Sequence, residues 1–171
     1  NDHFVTQREF NNQYKLRPAD KAILTDKDPN YRVLDLTVDV FNDSHTSYFH
    51  KTIGGYSAGK LQRYQDIIDY FIIPEIQSLG NDIKQSPTLS SIEESLSRQK
   101  ALNMLNAKYI IIDPNSAPIN NRFVYGNAWF VKDYELVNTP DDEIITLKQI
   151  DPKESAVINK EFQSIIQDKG F

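Results

Sequence analysis

The chain has no cysteine, one methionine and one tryptophan in 171 residues, and basic side chains (19) are outnumbered by acidic ones (24). The lack of cysteine excludes disulfide scaffolds, thiolate metal sites and cysteine nucleophiles. A formal charge of −5 argues against a nucleic-acid partner or an anionic membrane surface, both of which require a basic field. No apolar run approaches the roughly 18–20 residues that span a bilayer; Ile67 to Ile76 and Tyr109 to Ile112 are short and interrupted. The chain begins Asn1-Asp2-His3-Phe4 without an initiator methionine, so the expectation is a processed chain or an excised segment.

What is present suits a folded domain. Hydrophobic residues make up 39% and aromatic residues 11%, enough to exclude intrinsic disorder. The length fits a single domain over residues 1–171, with 1–17 as an extended arm and 80–91 (GNDIKQSPTLSS) as a long loop. Charge divides unevenly. Residues 1–64 carry 9 basic and 8 acidic side chains, whereas residues 65–171 carry 10 and 16.

Periodicity gives mixed elements. Pro18 to Leu24 reads as a short helix closed by a turn at residues 26–30. Tyr31 to Val40 alternates, with Val33, Asp35, Thr37 and Asp39 on one face and Leu34, Leu36, Val38 and Val40 on the other, the pattern of a strand. Ser57 is placed to cap a helix whose apolar stripe runs Leu61, Tyr64, Ile67, Ile68, Phe71, Ile72 and ends near Pro74. A second helix is expected over residues 91–106, with Ser91 and Glu94 at capping-box spacing. Tyr109 to Asp113 reads as a strand covered on both faces. Further strands are expected near residues 127–133, 134–138 and 143–150, and a helical turn within 151–162. The fold class is therefore α/β or α+β, a mixed sheet packed with helices.

Three segments carry candidate chemistry. Gly54-Gly55-Tyr56-Ser57-Ala58-Gly59-Lys60 satisfies GxxxxGK, the loop whose backbone N–H groups cradle phosphates, with Asp113 ending an apolar strand. Position 61 is leucine where a hydroxyl should meet Mg²⁺, which leaves nucleotide binding a remote alternative. The same segment reads better as an anion-friendly surface, with Tyr56, Lys60 and Arg63 on one helix face beside loose amides after Gly54-Gly55. The second segment, Asp43 to Lys51, gathers Asp43, His45, Ser47, Tyr48, His50 and Lys51. His45 and His50 are five apart, a poor spacing for sharing one metal, and no strand–elbow–helix surrounds any serine. Ligand contact or contact with another part of a larger protein fits this segment better, and no cofactor is implied. The third feature is aromatic density, nine Tyr, nine Phe and Trp129, which invites sugar stacking although most aromatic rings belong in a core.

One resemblance spans nearly the whole chain. Tyr31-Arg32-Val33-Leu34-Asp35-Leu36, Phe41-Asn42-Asp43, residues 47–56 (SYFHKTIGGY), residues 60–66 (KLQRYQD), residues 102–111 (LNMLNAKYII) and Gly126-Asn127-Ala128-Trp129-Phe130-Val131 occur in an order that resembles the YfhO-like bacterial membrane proteins of Bacteroidetes type. The resemblance implies a polytopic protein related to lipid-sugar-dependent glycosyltransferases. This chain would be its extracytoplasmic region, on the outer face of the cytoplasmic membrane. The implied partners are the transmembrane part of the same polypeptide and a polyprenyl-phosphate sugar or glycan, with no nucleic acid. The implied role is accessory, the catalytic acids lying in membrane loops. Ligand or membrane-domain contact then falls to Asp43, His45, Ser47, Tyr48, His50, Lys51, Gly54, Gly55, Tyr56, Lys60 and Arg63.

Overall fold

The structure is a computed structural model and describes residues 6–166. The chain divides into two compact units, residues 1–58 with 105–124, and residues 59–104 with 125–171. The class is the expected one, helices packed with mixed sheets.

In the first unit, helices α1 (Gln7–Gln13), α2 (Pro18–Ile23) and α3 (His45–Phe49) accompany strands β1 (Arg32–Asp35), β2 (Ala107–Ile111) and β3 (Ile119–Asn120). Strand β2 is central, parallel to β1 (Val33 opposite Tyr109, Asp35 opposite Ile111) and antiparallel to β3. Val33 and Ile111 pack with Ala19, Ile23 and Tyr31 on one face, while Leu34 and Ile110 are also fully buried, so the apolar run is covered on both faces as its composition implies. The alternation through Val40 predicts a longer β1. The strand stops at Asp35 because its Oδ1 accepts from the backbone N–H (2.9 Å) and hydroxyl (2.6 Å) of Thr37, a local bond that replaces the ladder. The expected arm is likewise corrected: over the described part of residues 1–17, α1 forms, closed by a Thr6–Glu9 capping box.

The second unit holds α4 (Gln62–Ile67), a π-helical turn (Ile68–Ile72), α5 (Ile73–Gln85), α6 (Leu89–Ser97), α7 (Lys100–Met104), β4 (Asp133–Val137), α8 (Pro140–Gln149), β5 (Ser155–Asn159) and a 3₁₀ turn (Lys160–Ile165). Ile68, Ile72, Leu79, Ile92, Leu96 and Leu102 form its buried apolar set. Four expectations are corrected here. The helix begins after Leu61, not Ser57, and runs through Pro74. The turn before the proline widens, the Ile73 N–H reaching the Ile68 carbonyl, and this accommodates a residue with no N–H of its own. Residues 80–91 are not a loop: α5 continues to Gln85, and α6 starts after Thr88, whose hydroxyl accepts from the Ser91 N–H (3.2 Å), so only Ser86, Pro87 and Thr88 connect them. The helix over 91–106 is two helices, with Arg98 and Gln99 between them.

The expected strand over residues 143–150 is instead helix as far as Gln149. Thr139, Pro140 and Asp142 supply N-cap, first-turn proline and capping box, start signals that outweigh the β-branched Ile144-Ile145-Thr146. Strand β5 follows where a helical turn was expected, parallel to β4 in full register from Asp133–Ser155 to Val137–Asn159, so residues 133–159 are one β-α-β unit. Of residues 127–133, only Asp133 is in a strand.

Candidate functional site

The chemistry-bearing residues of the first unit converge at the carboxyl end of β1, and their centre is Asp20, which no site pattern in the sequence singles out. Pro18 opens α2, and two residues later Asp20 faces inward with its side chain wholly buried. Arg17 grips it from the residue before the helix, Nε to Oδ2 at 2.8 Å and Nη2 to Oδ1 at 2.9 Å. The same Nη2 reaches Asp35 Oδ2 at 2.7 Å, and Nη1 reaches Thr37 Oγ1 at 3.3 Å. Thr46 donates its hydroxyl to Asp35 Oδ2 (3.1 Å).

Both histidines of the Asp43–Lys51 segment turn toward this carboxylate. His50 Nε2 lies 3.1 Å from Asp20 Oδ1 and His45 Nε2 lies 3.4 Å from Oδ2. An ionised carboxylate only accepts, so His50 carries its proton on Nε2. Its Nδ1 is buried without a hydrogen-bond partner among the described residues. Burial resists ionisation of Asp20, but the hydrogen bonds from Arg17 and His50 outweigh it and hold the carboxyl far below the ordinary range. Arg17 is raised, first by its hydrogen bond to Asp20 and against its own burial. Among the described residues no group of three His, Asp or Glu side chains is arranged to hold a metal ion.

The other nominated residues mostly serve the local fold. Asp43 Oδ1 accepts the His45 N–H (2.7 Å), Ser47 Oγ donates to the Ser44 carbonyl (3.0 Å), and Lys51 Nζ to the Pro29 carbonyl (2.6 Å). Tyr48 is half-exposed and its ring lies 4.5 Å from that of Tyr14. The amides of the two glycines are engaged: Gly54 N–H donates to Thr52 Oγ1 (3.1 Å) and Gly55 N–H to the Val40 carbonyl (2.7 Å). A Cβ on Gly54 would lie 1.8 Å from that carbonyl oxygen, so glycine is required there for close packing. The Gly54 and Gly55 amides thus serve the local fold rather than a phosphate. The common helix face is corrected: Tyr56 belongs to the first unit and Lys60 and Arg63 to the second, where α4 starts only at Gln62.

The second unit has its own concavity. A cavity of about 300 Å³ is walled by Trp129, Ile144, Leu147 and Val157, and Arg63, Asp66 and Glu143 also line it. The Trp129 indole N–H donates to the Pro152 carbonyl (2.8 Å), and Tyr125 meets the ring edge-on at 5.1 Å. Arg63 Nη2 lies 3.5 Å from Glu143 and 3.7 Å from Glu161.

Comparisons with protein-family models, with curated proteins and with solved structures find nothing that matches this chain.

Proposed function

We propose that the chain is a non-catalytic, extracytoplasmic accessory domain of a membrane-bound, lipid-sugar-dependent glycosyltransferase-like protein that modifies a cell-envelope glycan. The observation that carries this reading is the motif order from Tyr31 to Val131, which resembles the YfhO-like proteins. The first unit supports the non-catalytic part. Asp20, Asp35 and Thr46 are engaged with Arg17, His45 and His50, and the Asp20 carboxylate at their centre is wholly buried, whereas a catalytic acid or base must reach a reactant. No helix among the described residues is long and apolar enough to cross a membrane, so the proposal assigns the membrane spans to other parts of the parent polypeptide.

The test uses the parent protein and the isolated chain together. In the parent, Tyr56→Ala, whose ring is 72% exposed, and Arg63→Ala should each reduce glycan modification while folded protein accumulates normally. Unchanged modification in both would favour a scaffold module that recruits an envelope partner, a reading to which the 92% exposure of Phe130 also lends itself. Turnover of an activated sugar or a nucleotide by the isolated chain would overturn the accessory reading.

A further inference from the structure

We propose that the Trp129 cavity of the second unit is a binding site for one neutral pyranose residue of a glycan. Its volume, about 300 Å³, falls at the lower end of the range for small-ligand sites and admits one sugar ring. Trp129 is the chain's only tryptophan; it is half-buried and lines the cavity. The bond from its indole N–H to the Pro152 carbonyl and the edge contact from Tyr125 fix the plane of the ring. A fixed indole together with Ile144, Leu147 and Val157 gives the cavity apolar surface of the kind on which the C–H face of a pyranose packs.

The charged lining supplies the polar half of the recognition. Among the described residues Asp66 receives one hydrogen bond, from Gln62 Nε2 to its Oδ1 at 2.8 Å. Glu143 meets Arg63 only at 3.5 Å, beyond a strong charge-assisted bond. Two carboxylates that accept and a guanidinium that donates match the paired donor and acceptor character of sugar hydroxyls. Of the charged residues that line the cavity, Asp66 and Glu143 outnumber Arg63, which disfavours a phosphorylated sugar or a uronate. The glycan end of the substrate thus belongs in the second unit. The choice of a sugar rather than another apolar ligand rests on the accessory reading above.

Because no other tryptophan is present, fluorescence reports this cavity alone. Titration of the isolated chain with methyl glucoside, methyl mannoside and N-acetylglucosamine should give, for at least one of them, a saturating change in Trp129 emission in the millimolar range. Asp66→Asn and Glu143→Gln, checked for unchanged circular dichroism, should weaken that binding about tenfold or more, the effect of losing a hydrogen bond to a charged group. No saturable change with any of the three overturns the proposal, as does binding that both variants leave intact. Saturation by laurate or dodecylamine in place of the glycosides overturns it as well, in favour of an apolar-chain site. The two proposals fail separately. Glycoside binding without any effect of Tyr56→Ala or Arg63→Ala on glycan modification would remove the accessory reading alone, and the reverse result would remove the sugar site alone.

Discussion

Each unit places one carboxyl group at a structural junction, and the two are pushed in opposite directions. In the first, Asp20 is enclosed by a guanidinium and two imidazoles and is held far below its ordinary range. In the second, Glu75 of α5 receives the backbone N–H groups of Lys100, Ala101 (2.8 Å) and Leu102 (2.9 Å) at the start of α7, with the Lys100 charge nearby. Burial, acting against those bonds, raises it. At Asp20 the guanidinium and imidazole hydrogen bonds outweigh burial, whereas at Glu75 the amide bonds and the Lys100 charge do not. The first unit is therefore organised around an ion pair and the second around apolar packing with a helix-capping carboxylate.

The largest effect that bears on this contrast is removal of the ion pair. Asp20→Ala leaves Arg17 partly buried with half its partners gone, and is expected to cost the first unit about 3–5 kcal/mol. A urea midpoint for first-unit residues within error of wild type would show that Asp20 is not its keystone. In the second unit the comparable loss is apolar. Leu79 is fully buried, and Leu79→Ala should cost about 2–5 kcal/mol, read from the Trp129 unfolding transition.

Acid should separate the units without mutation. Asp20 is depressed, so its contribution is complete above the ordinary aspartate value and is lost as pH falls toward its folded value. Glu75 is raised, so its contribution is present below the ordinary glutamate value and is lost as pH rises through the folded one. Between pH 6 and pH 3, residue-resolved NMR in urea should therefore find first-unit amides losing stability relative to those around Glu75. The acid dependence in the first unit should flatten in Asp20→Asn. Equal slopes in both units would remove the contrast.

Two small effects complete the series. Thr139→Ala deletes the cap of α8 and should cost about 1 kcal/mol by thermal unfolding. Arg63→Ala breaks ion pairs that are longer than 3.4 Å and largely exposed, and should leave stability within about 1 kcal/mol. A larger loss would assign Arg63 to the fold of the second unit and weaken its use as a probe of function.

The legible parts of the sequence were those with strong local signals. The apolar YIIID run gave a two-sided central strand, and the stripe from Tyr64 to Ile72 gave a helix. What escaped was set by single side chains. Asp35 ends β1 by bonding Thr37, a choice that hydrophobic alternation does not record. Pro74 looks like a stop, yet a π turn carries the helix past it. In the site, His45 and His50 were visible as a cluster, but their common target was not. Asp20 lies 25 residues before His45 and reads as an ordinary first-turn acid of a short helix. A bidentate Arg17 before an otherwise unremarkable Pro-Ala-Asp start was the available signal, and only tertiary proximity to Asp35 gives it meaning.

The pairing of β1 with β2 joins Val33 to Tyr109, and nearly all the residues between them that lie past Ala58 belong to the other unit. During synthesis the amino-terminal portion therefore leaves the ribosome with its edge strand waiting. The partner strand emerges only after four helices of the second unit have been made. Until then Arg17, Asp20 and Asp35 can meet, but the sheet that shelters them cannot close. Such a chain must keep an unfinished strand from pairing with a neighbour for the time needed to translate some seventy residues, at roughly 5–20 residues per second. The brevity of β1, four residues ended by its own aspartate, limits what that waiting edge can bind.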